Sequence, residues 1–84
     1  MRTTWYFEHR VLPTRPEIDP AWCLEIIGSP LRTEAQVDGR IRFWGEVSLP
    51  GEDEPRIMRV VTLEDGETVH NAFLDRSFRR TSTT

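Results

Sequence analysis

The sequence predicts an α+β fold, with one short helix packed on a four-stranded antiparallel sheet. Three observations support this prediction. One segment has the start and stop signals of a helix, four later segments are rich in strand-forming residues, and glycine-bearing loops separate these strands. The chain of 84 residues matches the size of one domain, so residues 1–84 are expected to fold together. Residues 81–84 are expected to be a frayed tail.

Residues 1–16 contain an element whose type the sequence leaves open. Residues 5–7 are aromatic and favour a strand, whereas residues 8–12 fit the start of a short helix. Pro13 and Pro16 end either element, because proline lacks a backbone N–H and fixes φ. This segment therefore has two interpretations at the sequence level.

The dipeptide Asp19-Pro20 marks the start of the main helix. Aspartate is a favoured N-cap, and proline suits the first helical position. The helix is predicted over residues 20–27 and ends at Gly28. Because it is apolar nearly all round, it is expected to be buried against the sheet. The residues expected to dock it are Trp22 or Cys23, Ile26 and Ile27.

Four segments are predicted to be strands: residues 31–37, 40–48, 56–63 and 67–74. The third has apolar residues on both faces, which is typical of a central strand. The pattern does not specify how the third strand pairs with the fourth. Large aromatic side chains are expected to fill the core. They are Trp5, Tyr6, Phe7, Trp22, Phe43 and Phe73.

The first hairpin has a register that the hydrophobic pattern does specify. A three-residue loop, Val37-Asp38-Gly39, places Ala35 opposite Ile41 and separates polar from apolar residues, whereas a two-residue turn mixes the two faces. Gly39 is then expected at positive φ. One face of this hairpin is rich in arginine. Its members are Arg32, Glu34, Gln36, Arg40, Arg42 and Trp44.

Composition limits the function classes. All 11 basic residues are arginine, yet the net charge of −3 and the pI of about 5.3 disfavour a protein that coats nucleic acid. No apolar run is long enough to cross a membrane. A single cysteine, Cys23, cannot form an internal disulfide, which favours the cytoplasm. The chain lacks a phosphate-binding glycine loop, zinc-ligand spacing and a nucleophile elbow, so no cofactor or metal is predicted.

Two groups of residues are candidates for chemistry. His70 titrates near neutrality and has arginines nearby, so it suits general acid–base catalysis at a phosphodiester; the alternative is a histidine that packs at a sheet edge. Arg40, Arg42 and Trp44 share a face that suits phosphate and base contacts with single-stranded RNA. The alternative there is a solvated face with ion pairs such as Glu34–Arg42.

Several short segments, spread over roughly residues 6–80, carry a resemblance to a known family. They are His9, Arg15, Ile18-Asp19, Ser29-Pro30, Asp38-Gly39-Arg40-Ile41-Arg42, Arg59-Val60-Val61 and His70-Asn71-Ala72-Phe73-Leu74-Asp75-Arg76. Together they resemble small bacterial domains of unknown function that are allied to the BrnT-type toxins, within the RelE-like ribonuclease group. The resemblance implies metal-independent cleavage of RNA and inhibition by an antitoxin protein.

In this interpretation His70 and Arg76 are catalytic. The residues expected to bind RNA are Arg40, Arg42, Trp44 and Arg59. A second function of a different class also fits the composition: a non-catalytic module for protein interaction or for dimerisation. The expected partners are therefore RNA, an antitoxin protein or a second copy of the chain.

Overall fold

The computed structural model describes residues 1–78. This part of the chain contains a π-helical turn, a 3-10 turn, one α-helix and four strands. In chain order these are Phe7–Val11, Leu12–Thr14, α1 Pro20–Gly28, β1 Arg32–Ala35, β2 Ile41–Val47, β3 Arg56–Thr62 and β4 Val69–Leu74. The strands form one antiparallel sheet in the order β1-β2-β3-β4. The predicted α+β class is confirmed, whereas the predicted tail at residues 81–84 lies outside the described residues.

The predicted register of the first hairpin is confirmed. Ala35 pairs with Ile41, and the Gln36 N–H donates to the Arg40 carbonyl over 2.7 Å, which closes the three-residue loop. Gly39 has a φ of 94°. In the left-handed region a side chain is strained, so this turn requires glycine. The strand pairs end at Ala35 and Ile41, so β1 and β2 are shorter than predicted.

The second hairpin has the register that the sequence left open. Met58 pairs with Leu74 and Val60 with Ala72, and the ladder shifts between Val61 and Thr62. β3 is a central strand with apolar residues on both faces, as predicted. This shift changes which residues of β4 lie opposite those of β3. The register of this hairpin therefore cannot be predicted from the alternation of polar and apolar residues alone.

Residues 5–7 are helical, so the strand interpretation of this segment is wrong. Thr4 explains why: its Oγ1 accepts from the Phe7 N–H over 3.1 Å, which caps the turn. The expectation of a core role fails for Trp5 and Tyr6, which are 64% and 45% exposed, whereas Phe7 is fully buried. Thr3 does pair with Val69, as a single parallel bridge at the edge of β4.

Helix α1 starts and docks as predicted. The Asp19 carboxylate accepts from the Ala21 N–H over 2.9 Å, and Cys23 and Ile26 are buried. α1 packs on β2 and β3. A Cβ atom added at Gly45 would lie 2.6 Å from Ile26 Cγ1, so the helix approaches the sheet closely only because β2 has glycine there.

None of the helices formed by residues 1–78 combines the length and the apolar character needed to span a membrane.

Candidate functional site

The sheet has an open face, the side turned away from α1, and one row of side chains crosses it. Arg32, Trp44, Arg59 and Phe73 are successive partners in the four strands. The Cζ atom of Arg32 lies 5.1 Å from the Trp44 ring centroid, and that of Arg59 lies 4.5 Å from the Phe73 centroid. Arg15 extends the row, with its Cζ 5.6 Å from the Phe73 centroid. These distances are typical of cation–π contacts, and we call these five residues the arginine–aromatic row.

Asp75 anchors the arginine–aromatic row. The Trp44 indole N–H donates to Asp75 Oδ2 over 2.9 Å, and Arg59 Nε lies 3.5 Å from the same oxygen as an ion pair. Burial alone would raise the pKa of Asp75, but hydrogen bonds from Trp44 and Ser77 and the charge of Arg59 hold that pKa below its usual value. Asp75 is therefore ionised at neutral pH and keeps Trp44 and Arg59 in place.

A shallow cavity of about 300 Å³ lies beside this row on the open face. It is lined by Tyr6, Gln36, Arg40, Arg42, Arg59, Val61, His70, Asn71 and Phe73. Within residues 1–78 the lining includes three arginines, one histidine and two side-chain amides, but no carboxylate. A concave surface of this composition favours an anionic ligand, because guanidinium groups bind phosphate and carboxylate oxygens in a fixed geometry. We call it the arginine cavity.

His70 is held in the arginine cavity by the N-terminal segment. Its Nδ1 is hydrogen-bonded to Thr4 Oγ1 over 3.0 Å, and its ring stacks on Tyr6 with the centroids 5.0 Å apart. Burial, followed by the positive charge of Arg40, lowers the pKa of His70 below its usual value. The imidazole is therefore neutral at neutral pH, which is the protonation state that a general base needs.

Two arginines of the cavity also form ion pairs at its rim. Arg42 Nη1 lies 2.9 Å from Glu34 Oε1, which confirms the predicted pair, and Arg40 Nη1 lies 3.7 Å from Asp38 Oδ2. The side chains in both pairs are substantially exposed. Exposed pairs contribute only about 0.2–1 kcal/mol, so these arginines are available to a stronger anion.

Four of the six predicted site residues meet in the arginine cavity: Arg40, Arg42, Arg59 and His70. Trp44 lies in the neighbouring row and is only 5% exposed, so its ring offers little surface for a base. Arg76 lies in the exposed turn after β4 and does not line the cavity.

Sequence reasoning missed the residues that position His70 and Trp44. Thr4 and Tyr6 contact His70, and Asp75 contacts Trp44. Thr4 had a local signal, because a threonine directly before a helical segment can cap its first turn. No local signal connects residues 4–6 to β4, because this contact depends on the path of the N-terminal segment along the sheet edge.

Metal ligands do not converge within the described part of the chain: no three His, Cys, Asp or Glu residues of 1–78 form a group that could hold an ion. Cys23 lies away from the arginine cavity, on the buried side of α1 in the hydrophobic core. Burial, and then the charge of Asp19, raises the pKa of its thiol to about 12. The thiol stays protonated at neutral pH and packs as a small apolar side chain.

Comparison of the chain with models of protein families, with curated proteins and with solved structures gave no match. The resemblance to the BrnT-type toxins stays a prediction. The arguments for function therefore rest on the arginine cavity.

Proposed function

We propose that this chain binds single-stranded RNA in the arginine cavity of its open face. The observation that supports the proposal is the lining itself: within the described residues, three guanidinium groups and two amides surround one concave surface without a carboxylate. Guanidinium groups suit the phosphates, and the amides of Gln36 and Asn71 suit hydroxyls and base edges. Single strands are the form of RNA whose bases are free to make such contacts.

The three arginines have different parts in this proposal. Arg40 and Arg42 bind phosphate, because their acidic partners at the rim are exposed and readily exchanged. Arg59 is held between two rings and beside Asp75, so its position is preset. Because Arg59 is already ordered, it loses little conformational entropy when it binds phosphate. It also orients the phosphate relative to His70.

We further propose that His70 cleaves the bound strand. Nδ1 lies 3.0 Å from Thr4 Oγ1, and in the tautomer that this mechanism requires it carries the ring proton and donates to that oxygen, which leaves a free electron pair on Nε2. The 2′-oxygen of the RNA attacks phosphorus while its proton passes to Nε2. The bond from phosphorus to the 5′-oxygen breaks, that oxygen takes a proton from water, and the resulting hydroxide takes the proton from Nε2, which restores the neutral ring. The products are a 2′,3′-cyclic phosphate and a free 5′-hydroxyl, and the cavity arginines stabilise the developing charge.

Binding is tested by fluorescence anisotropy with a labelled single-stranded RNA at ~50 mM salt. The double change Arg40→Gln and Arg42→Gln is expected to weaken binding for all sequences. It should also reduce the slope of log affinity against log salt by about 1.4, because each phosphate contact on a single strand contributes about 0.7.

The matched control for binding is the double change Arg10→Gln and Arg56→Gln. It alters the net charge by the same amount, but neither residue lines the arginine cavity. An equal loss of affinity in the control would show that only the net charge matters. No binding by the unaltered protein at ~50 mM salt would overturn the proposal.

Cleavage is tested separately, by incubating the protein with RNA in the presence of EDTA. We expect products that end in a 2′,3′-cyclic phosphate, and no cleavage of DNA of the same sequence, which lacks the attacking hydroxyl. His70→Ala should abolish cleavage and retain binding, the pattern of a group that acts in the transition state. Arg76→Gln is expected to leave cleavage unchanged, because Arg76 does not line the cavity.

One observation favours a second function, that of a protein-interaction module. Arg40 and Arg42 already have carboxylate partners, as expected of a surface that recognises acidic and basic groups on another protein. The antitoxin protein implied by the resemblance would be such a partner. A folded protein with no affinity for RNA would favour this function over the first.

A further inference from the structure

The two edges of the sheet differ in how they are covered. At β4 the N-terminal segment bonds along the edge: the Val69 N–H donates to the Arg2 carbonyl over 2.9 Å, and the Thr4 N–H donates to the Val69 carbonyl over 3.0 Å. Along β1, no strand among residues 1–78 pairs with the outer edge. An uncovered strand edge is a template for pairing with another chain.

The pairing of β1 with β2 determines which backbone N–H and C=O groups of β1 point away from the sheet. Gln36 and Arg40 form a hydrogen-bonded pair next to the loop. Because bonded and non-bonded pairs alternate along an antiparallel ladder, Glu34 and Arg32 direct their backbone groups toward β2. Thr33 and Ala35 therefore direct their N–H and C=O groups outward, to the free edge.

The backbone that is free to pair does not extend to Leu31, the residue before β1. The Leu31 N–H donates to the Trp44 carbonyl over 2.7 Å, so this N–H is already used within the sheet. The outward N–H groups available for pairing are therefore those of Thr33 and Ala35, and the exposed Leu31 side chain can contribute an apolar contact beside them.

We propose that β1 pairs antiparallel with β1 of a second copy of this chain, about a two-fold axis at Thr33. In this register Thr33 faces Thr33, and Arg32 faces Glu34 of the second copy. Within one copy Arg32 Nη2 lies 3.3 Å from Glu34 Oε2 as an exposed ion pair, and the pairing of two copies places a second opposite charge beside each of these groups on the open face.

The charges of β1 select this register. Outward groups can pair only with outward groups, so the register can change only in steps that keep odd-numbered residues opposite one another. The neighbouring registers place Arg32 opposite Arg32, or Glu34 opposite Glu34, and like charges directly opposite are destabilising. Charged residues usually protect an edge from pairing, but alternating signs at this spacing are self-complementary.

Pairing at β1 places the open faces of both copies on the same side of one continuous sheet. The two arginine cavities would then open on the same side of the joined sheet, so one strand of RNA long enough to reach both could bind them if the proposed function is correct. The pairing itself does not depend on RNA binding, so the two proposals can fail separately.

The test is sedimentation velocity over a range of protein concentrations. We expect the unaltered protein to dimerise and Thr33→Pro to stay monomeric, because proline removes an outward donor and leaves the bonds to β2 intact. If the unaltered protein remains monomeric up to ~1 mM, the proposal is overturned. A dissociation constant of ~1 mM corresponds to an association free energy of only about −4 kcal/mol. A folded Thr33→Pro variant that dimerises like the unaltered protein also overturns the proposal.

Charge reversal provides a second test that does not depend on proline. Arg32→Glu is expected to prevent dimerisation, because it places a second carboxylate opposite Glu34 of the other copy. Adding Glu34→Arg to this variant restores opposite charges and should restore the dimer. Both variants lack the Arg32 contact with Trp44, so that loss cannot explain the difference between them. Failure of the second change to restore association overturns the register.

Discussion

The two faces of the sheet bury their side chains to a similar degree by different means. On the helix side, Ile26 of α1 is 4% exposed because it packs against this face at Gly45 of β2. On the open side, no helix of the described chain covers Trp44, yet it is 5% exposed because Arg32 and Arg59 lie over its ring. The Phe78 ring adds a further contact, with the centroids 5.7 Å apart. Arginine can shield a ring because its stem is apolar and its planar head stacks on aromatic groups.

The largest effect is expected on the helix side, from Ile26→Ala. Removing a buried aliphatic side chain should lower the free energy of unfolding by about 2–5 kcal/mol, since α1 cannot collapse fully into the cavity left behind. Chemical denaturation measures this loss. Leu24→Ala in the same helix is the control, because Leu24 is 57% exposed and should cost less than about 0.5 kcal/mol. Equal costs would show that α1 does not dock through Ile26.

Gly45→Ala tests the close approach between α1 and the sheet. The added methyl group would clash with Ile26, and overpacking of this kind costs about 1–3 kcal/mol. In an Ile26→Ala background the clash is absent, so the same change should cost clearly less. A double-mutant cycle by chemical denaturation measures this coupling. Strict additivity would contradict the proposed contact.

Arg59→Ala tests the open face and is expected to cost about 1–2 kcal/mol, because it leaves Asp75 without its cation. Arg59→Met separates two contributions. It keeps an apolar stem between Trp44 and Phe73 but removes the charge, so a smaller cost than for alanine would show that stacking contributes. Arg40→Ala, at an exposed position, is the control. Equal unfolding free energies for Arg59→Ala, Arg59→Met and Arg40→Ala would show that Arg59 does not stabilise the open face.

The smallest effect is expected from pH. The pKa of His70 is lower in the folded protein than the usual ~6.5, so the unfolded chain binds more protons in this range. Stability should therefore fall as the pH drops from 7 through the folded pKa. The pKa of Asp75 is held below its usual value, so this carboxylate stays ionised throughout this window and does not contribute. Denaturation of a His70→Asn variant at pH 7 and pH 5 should show a weaker dependence, and an unchanged dependence would contradict the assignment to His70.

Local patterns were enough to predict much of the fold. The N-cap Asp19 and the apolar circumference predicted α1, and the separation of polar from apolar residues predicted the loop at Gly39. Both signals act over a few residues, through capping bonds and the two-residue period of a strand. The clustering of Arg40 and Arg42 followed from the same register.

Contacts between distant segments decided the rest. The path of residues 1–6 along β4 places Thr4 and Tyr6 on His70, and the chain after β4 brings Asp75 to Trp44, 31 residues away. A hydrogen bond or ring contact over such a separation leaves no periodic trace in the sequence. Residue types and their spacing were therefore enough to locate the strands and the arginine-rich face. That His70 faces three arginines while Trp44 lies beneath two could not be predicted in this way, because burial and stacking depend on how distant segments pack together.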